Sequence, residues 1–153
     1  MIDLINKMKE EVPEYVPQLI MVDGNGLLHP TLFGLACHLG VLCDIPTVGV
    51  CKKLLYCRGI TEEIVKQSVE KSKQKGTDAF LNDSSSGKEI ACAVRIPKSN
   101  EFVFVSVGHK IDLPTCVAIV KSCFLHNKQP EPVAIADNLS RAFLSLNYEN
   151  GLN

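Results

Sequence analysis

Ile2, Leu4, Ile5, Met8 and Val12 recur near helical spacing with Lys7, Lys9, Glu10 and Glu11 between them, which predicts a helix over 2–11 ending before Pro13. Leu19 to Val22 is an unbroken apolar run and reads as a strand over 18–23, covered on both faces as in parallel sheets. Pro30 suits the first turn of a helix over 31–43, whose apolar positions include Leu32, Leu35, Leu39 and Leu42. Asp44-Ile-Pro46 breaks it. Thr47 to Cys51, short and β-branched, reads as a second strand. Strand, helix and strand make a right-handed crossover with the two strands parallel. Glu62 to Gln74 is charged and helix-compatible, with Ile64 and Val69 as anchors, and residues 76–88 read as a surface loop rich in Gly, Ser, Asp and Asn. Glu89–Ile96 and Phe102–Val107 read as an antiparallel hairpin around Pro97-Lys-Ser-Asn-Glu101. Pro114 to Leu125 reads as a helix, Asn127 to Pro132 as a linker, and Asp137 to Tyr148 as a last helix with Asp137 near its start. The class is α/β, and no internal repeat is visible.

The length of 153 residues suits one domain, and 46% hydrophobic with 22% charged residues is ordinary for a chain with a core. The net charge of −1 is no basic signature, so any nucleic-acid contact must come from local basic residues. The seven cysteines include no C-x-x-C pair and several lie in apolar runs, which predicts buried free thiols and an intracellular, reducing compartment. Met1 to Glu11 is amphipathic and charged, so it reads neither as a signal peptide nor as a membrane span.

The chemistry gathers at Asp23-Gly-Asn-Gly26. A carboxylate at the carboxyl end of a buried strand stands where ligands bind in open α/β sheets, and the glycines permit a sharp turn and a close approach. A solvated turn residue and a metal-ligand Asp both fit this position. A dinucleotide fingerprint does not, because His29 stands where the third glycine is needed.

Five stretches occur in one order: Asp23-Gly-Asn-Gly-Leu-Leu-His-Pro30, Gly34-Leu-Ala-Cys-His-Leu-Gly40, Ile45-Pro-Thr-Val-Gly-Val-Cys-Lys52, Ser106-Val-Gly-His-Lys110 and Pro130-Glu-Pro-Val-Ala-Ile-Ala-Asp137. Together they resemble endonuclease V, closely the animal-type members, over about residues 1–145. The resemblance implies a ribonuclease-H-like three-layer α/β/α fold with a mixed sheet. It implies a Mg2+-dependent endonuclease, Mn2+ substituting, that hydrolyses a phosphodiester 3′ of inosine in single-stranded RNA or of deoxyinosine in DNA. A cytoplasmic enzyme, with nuclear or nucleolar presence also open, and a monomer are implied in the same way.

Residue by residue, Asp23 matches the family's metal-binding Asp on the central strand, and Asp137 an acidic position near the end of the family's domain. Taken alone, Asp137 reads first as a helix N-cap. Lys52 matches the Lys of Gly-Val-x-Lys and would hold a phosphate or polarise the attacking water; a solvated strand-end Lys is the plain alternative. His29 is expected to contact a phosphate or a base edge, or simply to cap a helix. Gly24, Asn25 and Gly26 offer backbone groups for the edge of an extruded base, which is cheapest to extrude from a single strand. Gly108 and His109 resemble the family's backbone-contacting loop after the hairpin, and Lys110 is placed to meet a phosphate.

The resemblance also carries a mismatch. Family members begin with a meander of strands bearing a catalytic Asp, a Pro-Tyr wedge loop and a helix bearing a catalytic Glu, and Met1 to Pro17 matches none of these. Two of four expected acidic positions are therefore present, and the front strands are missing. The strand Leu19–Val22 is expected at a sheet edge, where its open backbone invites self-association. An inactive fragment that only binds nucleic acid or a protein partner is the competing expectation.

Overall fold

The computed structural model describes residues 1–126 and 128–149. The chain runs through helix α1 (Ile2–Glu11), strand β1 (Ile20–Asp23), α2 (Leu35–Cys43), β2 (Thr47–Cys51), α3 (Glu62–Lys75), β3 (Ala79–Asn82), β4 (Glu89–Arg95), β5 (Phe102–His109), α4 (Leu113–Ser122) and α5 (Glu131–Glu149). Among the described residues the strands form one mixed sheet in the order β1-β2-β5-β4-β3. β1 and β2 are parallel, joined through α2 as the crossover requires, and the remaining neighbours are antiparallel.

The period of two along each strand builds two cores. Met21, Val48, Val50, Cys92, Val94, Val103 and Val105 face one side and pack on Leu113, Cys116, Val117 and Val120 of α4. Phe104, Ala91 and Ala93 face the other and pack with Val65 of α3. On that same side Ile20 and Val22 meet Ile5 of α1 and Ala36, Leu39 and Cys43 of α2. Helices thus cover both faces, the three-layer arrangement expected. Local capping agrees: Thr61 accepts from the Ile64 N–H at the start of α3, and Asp112 from the Thr115 N–H at the start of α4. Gly76 closes α3 with φ of 65°.

Several boundaries differ from the sequence reading. β3 lies inside the stretch read as loop 76–88; its Ala79 and Leu81 are buried, and its partner β4 is chosen by tertiary pairing rather than by local pattern. α2 begins at Leu35 rather than near residue 31, because Pro30 and Thr31 form a turn and Leu32, at φ 54°, bends the chain out of helical geometry. α5 begins at Glu131 rather than Asp137. Pro132 occupies its first turn, where no N–H is needed, so the stretch read as a linker is partly helix; Asn127, with which that linker was to begin, lies outside the described residues. Asp137 is therefore inside the helix and is not its N-cap. β5 continues through His109, so Gly108 and His109 belong to a strand and not to a loop.

β1 is an edge strand, as expected, and half-buried along most of its length. α5 packs against it and leaves Ile135, Leu139 and Phe143 exposed. Among the described residues no helix is long and apolar enough to cross a membrane. All seven cysteines are free thiols; Cys37, Cys43, Cys92 and Cys116 are buried.

Candidate active site

β1 ends at Asp23, whose carboxylate is exposed at the carboxyl end of the strand. Strand alternation puts Asp23 on the face shared by Met21, the side of the sheet that α4 covers. After Asp23 the chain folds back over the sheet instead of leaving it. Gly24 N–H donates to the Val50 carbonyl at 3.0 Å, Gly26 N–H to the buried Ser106 hydroxyl at 2.9 Å, and Leu27 N–H to the Val107 carbonyl at 2.8 Å. The Asn25 carbonyl accepts from Ala36 N–H and the Gly26 carbonyl from Gly34 N–H, both at 3.0 Å. Five bonds thus fix four residues of backbone to β2, β5 and the start of α2.

This clamp needs bare backbone. A Cβ at Gly26 would overlap the Val107 carbonyl, and one at Gly49 would meet Gly24 O and Gly26 N at 2.6 Å. Gly26 is accordingly buried with both backbone groups occupied, and half-buried Gly24 and Asn25 have one group each occupied, the N–H and the carbonyl, so the backbone here is less open than the sequence reading expects. The Cys51 thiol donates to Asn25 Oδ1 at 2.9 Å and steers that side chain. Burial and, second, the Asp23 charge push the Cys51 thiol up to about 11, so it stays protonated at neutral pH.

Lys52 is exposed just past β2, one strand over from Asp23, and lines a groove of about 890 Å3. Lys128 first, and Lys52 more weakly, hold the Glu101 carboxyl in that groove below its usual range. His29 is half-buried, its Nδ1 2.8 Å from Thr31 Oγ1, in the turn that leads to α2. Asp137 is half-buried in the second turn of α5 and accepts from Arg141 Nε at 3.0 Å.

A Cβ on Gly108 would overlap Thr47, and one on Gly26 the neighbouring Val107. The next two residues point elsewhere. His109 pairs with Thr47, three ladder steps or about 10 Å from the Val50 position that faces Asp23. His109 Nε2 is 3.4 Å and Lys110 Nζ 2.6 Å from Asp44, whose carboxyl is lowered chiefly by Lys110 and then by His109. Both side chains are thus engaged with the α2 C-cap at the opposite end of the sheet. Sequence reading missed Ser106 and Gly49 as the parts that shape the loop, although Ser106 lies in a stretch already singled out and Gly49 breaks a β-branched run.

A model of the family described as endonuclease V matches residues 1–138. Mouse endonuclease V is 38% identical over 145 residues, covering 94% of this chain and 43% of that protein. Human endonuclease V is 38% identical over 142 residues, covering 92% and 50%. The crystal structure of human ENDOV superposes with a TM-score of 0.85 at 36% identity, covering 96% of this chain and 62% of that one. Ciona intestinalis endonuclease V, solved in complex with a 24mer DNA containing an inosine followed by a ribo-adenosine, superposes at 0.83 with 35% identity, covering 94% and 61%. The chain spans about half the length of the curated relatives it matches.

Proposed function

The chain belongs to the endonuclease V family, and we propose on that basis that it acts on single-stranded RNA or DNA at inosine, hydrolysing a phosphodiester on its 3′ side. The observation that carries this reading is the pinned loop: an exposed carboxylate, Asp23, is followed at once by backbone fixed from both sides. Catalysis by positioning needs a rigid frame of this kind. Gly24 and Asn25, half-buried in this loop, are the groups for a base edge, with Gly26 as their anchor. Hypoxanthine lacks the exocyclic amine of guanine, so a close backbone wall separates the two by shape.

Asp23 and Asp137 offer hard oxygen donors, the type Mg2+ prefers, and Mg2+ is commonly held by one or two carboxylates with waters and substrate phosphate. Among the described residues no group of three or more His, Cys, Asp and Glu is gathered closely enough to hold a metal ion. The donors present fit an ion completed by water and substrate, with Asp23 as its principal protein ligand. When bound, the ion supplies a more acidic water and charge stabilisation at the phosphate. Lys52 brings a point charge to a phosphate or to the attacking water, and His29 a second contact to the strand. Lys110 and His109, held at Asp44, are contacts for a part of the substrate at the far end of the sheet.

The test is cleavage of inosine-containing single-stranded RNA and DNA beside guanosine controls, with Mg2+, Mn2+ or chelator. Expected products carry 3′-hydroxyl and 5′-phosphate ends and form only with inosine and metal; equal cutting of guanosine strands refutes the proposal. A second reading, binding without cleavage, is favoured by the small number of clustered carboxylates. Inosine-selective binding with no product at any metal concentration would establish it.

A further inference from the structure

We propose that the groove beside Lys52 is a track for the flank of a single-stranded nucleic acid, a binding site separate from the inosine contacts; the assignment rests on the function proposed above. The groove lies along one rim of the sheet. Asp23 ends β1, Lys52 follows β2, Phe102 begins β5 and Arg95 ends β4; Asp23 is level with Val50 and so with Val105, and the paired Phe102 and Arg95 lie three ladder steps, about 10 Å, beyond that level at the same rim. The strand order β1-β2-β5-β4 adds about 4.8 Å per step, which together with that offset puts Arg95 about 17 Å from Asp23, several nucleotides of chain. The groove opens on the α3 face and Asp23 on the α4 face, so a strand engaged at Asp23 crosses the carboxyl rim at Lys52 to enter it.

The lining suits that occupant. Lys52, Lys66, Lys73, Arg95 and Lys128 outnumber the three glutamates Glu62, Glu70 and Glu101, in a chain whose net charge is −1. Lys73 pairs with Glu70 at 3.4 Å and Lys128 with Glu101 at 3.1 Å. Lys66 and Arg95 are in no salt bridge among the described residues, so their charge is available to phosphates, and Lys52 is drawn only weakly to Glu101. The floor is apolar, with Val65, Val69 and Phe104, and the Arg95 guanidinium sits 5.8 Å from the Phe102 ring centroid. Basic side chains beside an aromatic–arginine platform are how proteins hold single strands without reading sequence. A hydrophobic partner helix would leave those cations without counter-charge, and a small anion would not use the apolar floor.

The experiment measures binding by fluorescence anisotropy in Ca2+, with labelled inosine oligonucleotides that either stop near the inosine or extend several nucleotides on one side or the other. Guanosine versions of each are included. Lys66→Glu and Arg95→Gln are compared with Lys71→Glu, which matches the charge change of Lys66→Glu on an exposed α3 residue outside the groove. The expected result is about a tenfold loss for a long-flank oligonucleotide with Lys66→Glu, a change under twofold for the short one, and a salt slope reduced by about 1. Lys71→Glu should alter neither. Equal losses on long and short strands, no loss at all, or the same loss from Lys71→Glu overturns the track. If the flank effect appears equally with guanosine, the track stands and the inosine reading is the one that fails.

Discussion

Gly26 and Val107 meet backbone to backbone. The Leu27 N–H donates to the Val107 carbonyl at 2.8 Å, and any Cβ on Gly26 would overlap that same oxygen. Gly24, two residues earlier, differs: its Cβ would find Leu35 Cδ2 at 3.4 Å, an ordinary contact. Gly26→Ala is therefore expected to cost about 1–3 kcal/mol or more, because backbone must move, whereas Gly24→Ala is expected to be tolerated. Urea unfolding of both variants checks this, and similar midpoints would contradict the clamp.

For the metal, Asp23→Ala should abolish Mn2+ binding, whereas Asp137→Asn should weaken it by about tenfold, as for a ligand acting through water. Asp23 sits on a strand end braced by the loop, but Asp137 sits within a helix turn and already faces Arg141. Titration of both variants with Mn2+ decides; equal losses, or binding that survives Asp23→Ala, would count against the assignment.

Arg58 and Asp83 form a two-pronged pair at 2.8 and 2.9 Å, tying the β2–α3 connection to the β3–β4 turn. The Asp83 side chain is fully buried, and Arg58 first and Ser86 second hold its carboxyl far below the usual range. A depressed carboxyl stabilises the fold above its unfolded value, 3.8, and this contribution disappears as pH falls below that value toward the folded one. Acid unfolding should therefore begin below about pH 3.8 and lose its steepness in Asp83→Asn. Arg58→Ala should be the more damaging change, since it strands a buried charge; thermal melts of the two variants provide the comparison.

At the alkaline end the buried thiols dominate. Burial pushes Cys92 and Cys116 up to about 12 from 9.0. Raised acids favour the fold below the unfolded value and lose that contribution as pH climbs from 9 toward 12, with a slope of about 1.4 kcal/mol per pH unit for each thiol. Chemical denaturation between pH 8 and 11 should show stability falling above 9, and a smaller fall in Cys92→Ala. A flat profile would mean that these thiols ionise without unfolding.

Much of this was readable without coordinates, and the omissions have physical causes. β1, β2 and the β4–β5 hairpin were legible because each is a short apolar or β-branched run bounded by turn residues. β3 was not, since Ala79-Phe-Leu81 is a brief apolar run between polar residues and becomes a strand only by pairing with β4. The start of α5 was hidden by Pro130 and Pro132, which look like helix breakers but are harmless at a helix beginning. Asp23 was legible from its place after an apolar run. The groove was not, because Lys66, Arg95, Phe102 and Lys128 come from different elements and no local spacing joins them.

The edge position of β1 also makes the strand a recorder of what pairs with it. Ile20 and Gly24 donate to Pro46 and Val50, so strand alternation turns the amides of Met21 and Asp23 toward the open side. Adjacent amides in one strand then belong to two classes, with proton exchange slow at Val22 and fast at Met21 and Asp23 while that side is open. Anything that adds a strand there, a second copy or another polypeptide, would merge the two classes, and the amide next to the proposed metal ligand would be among those to slow.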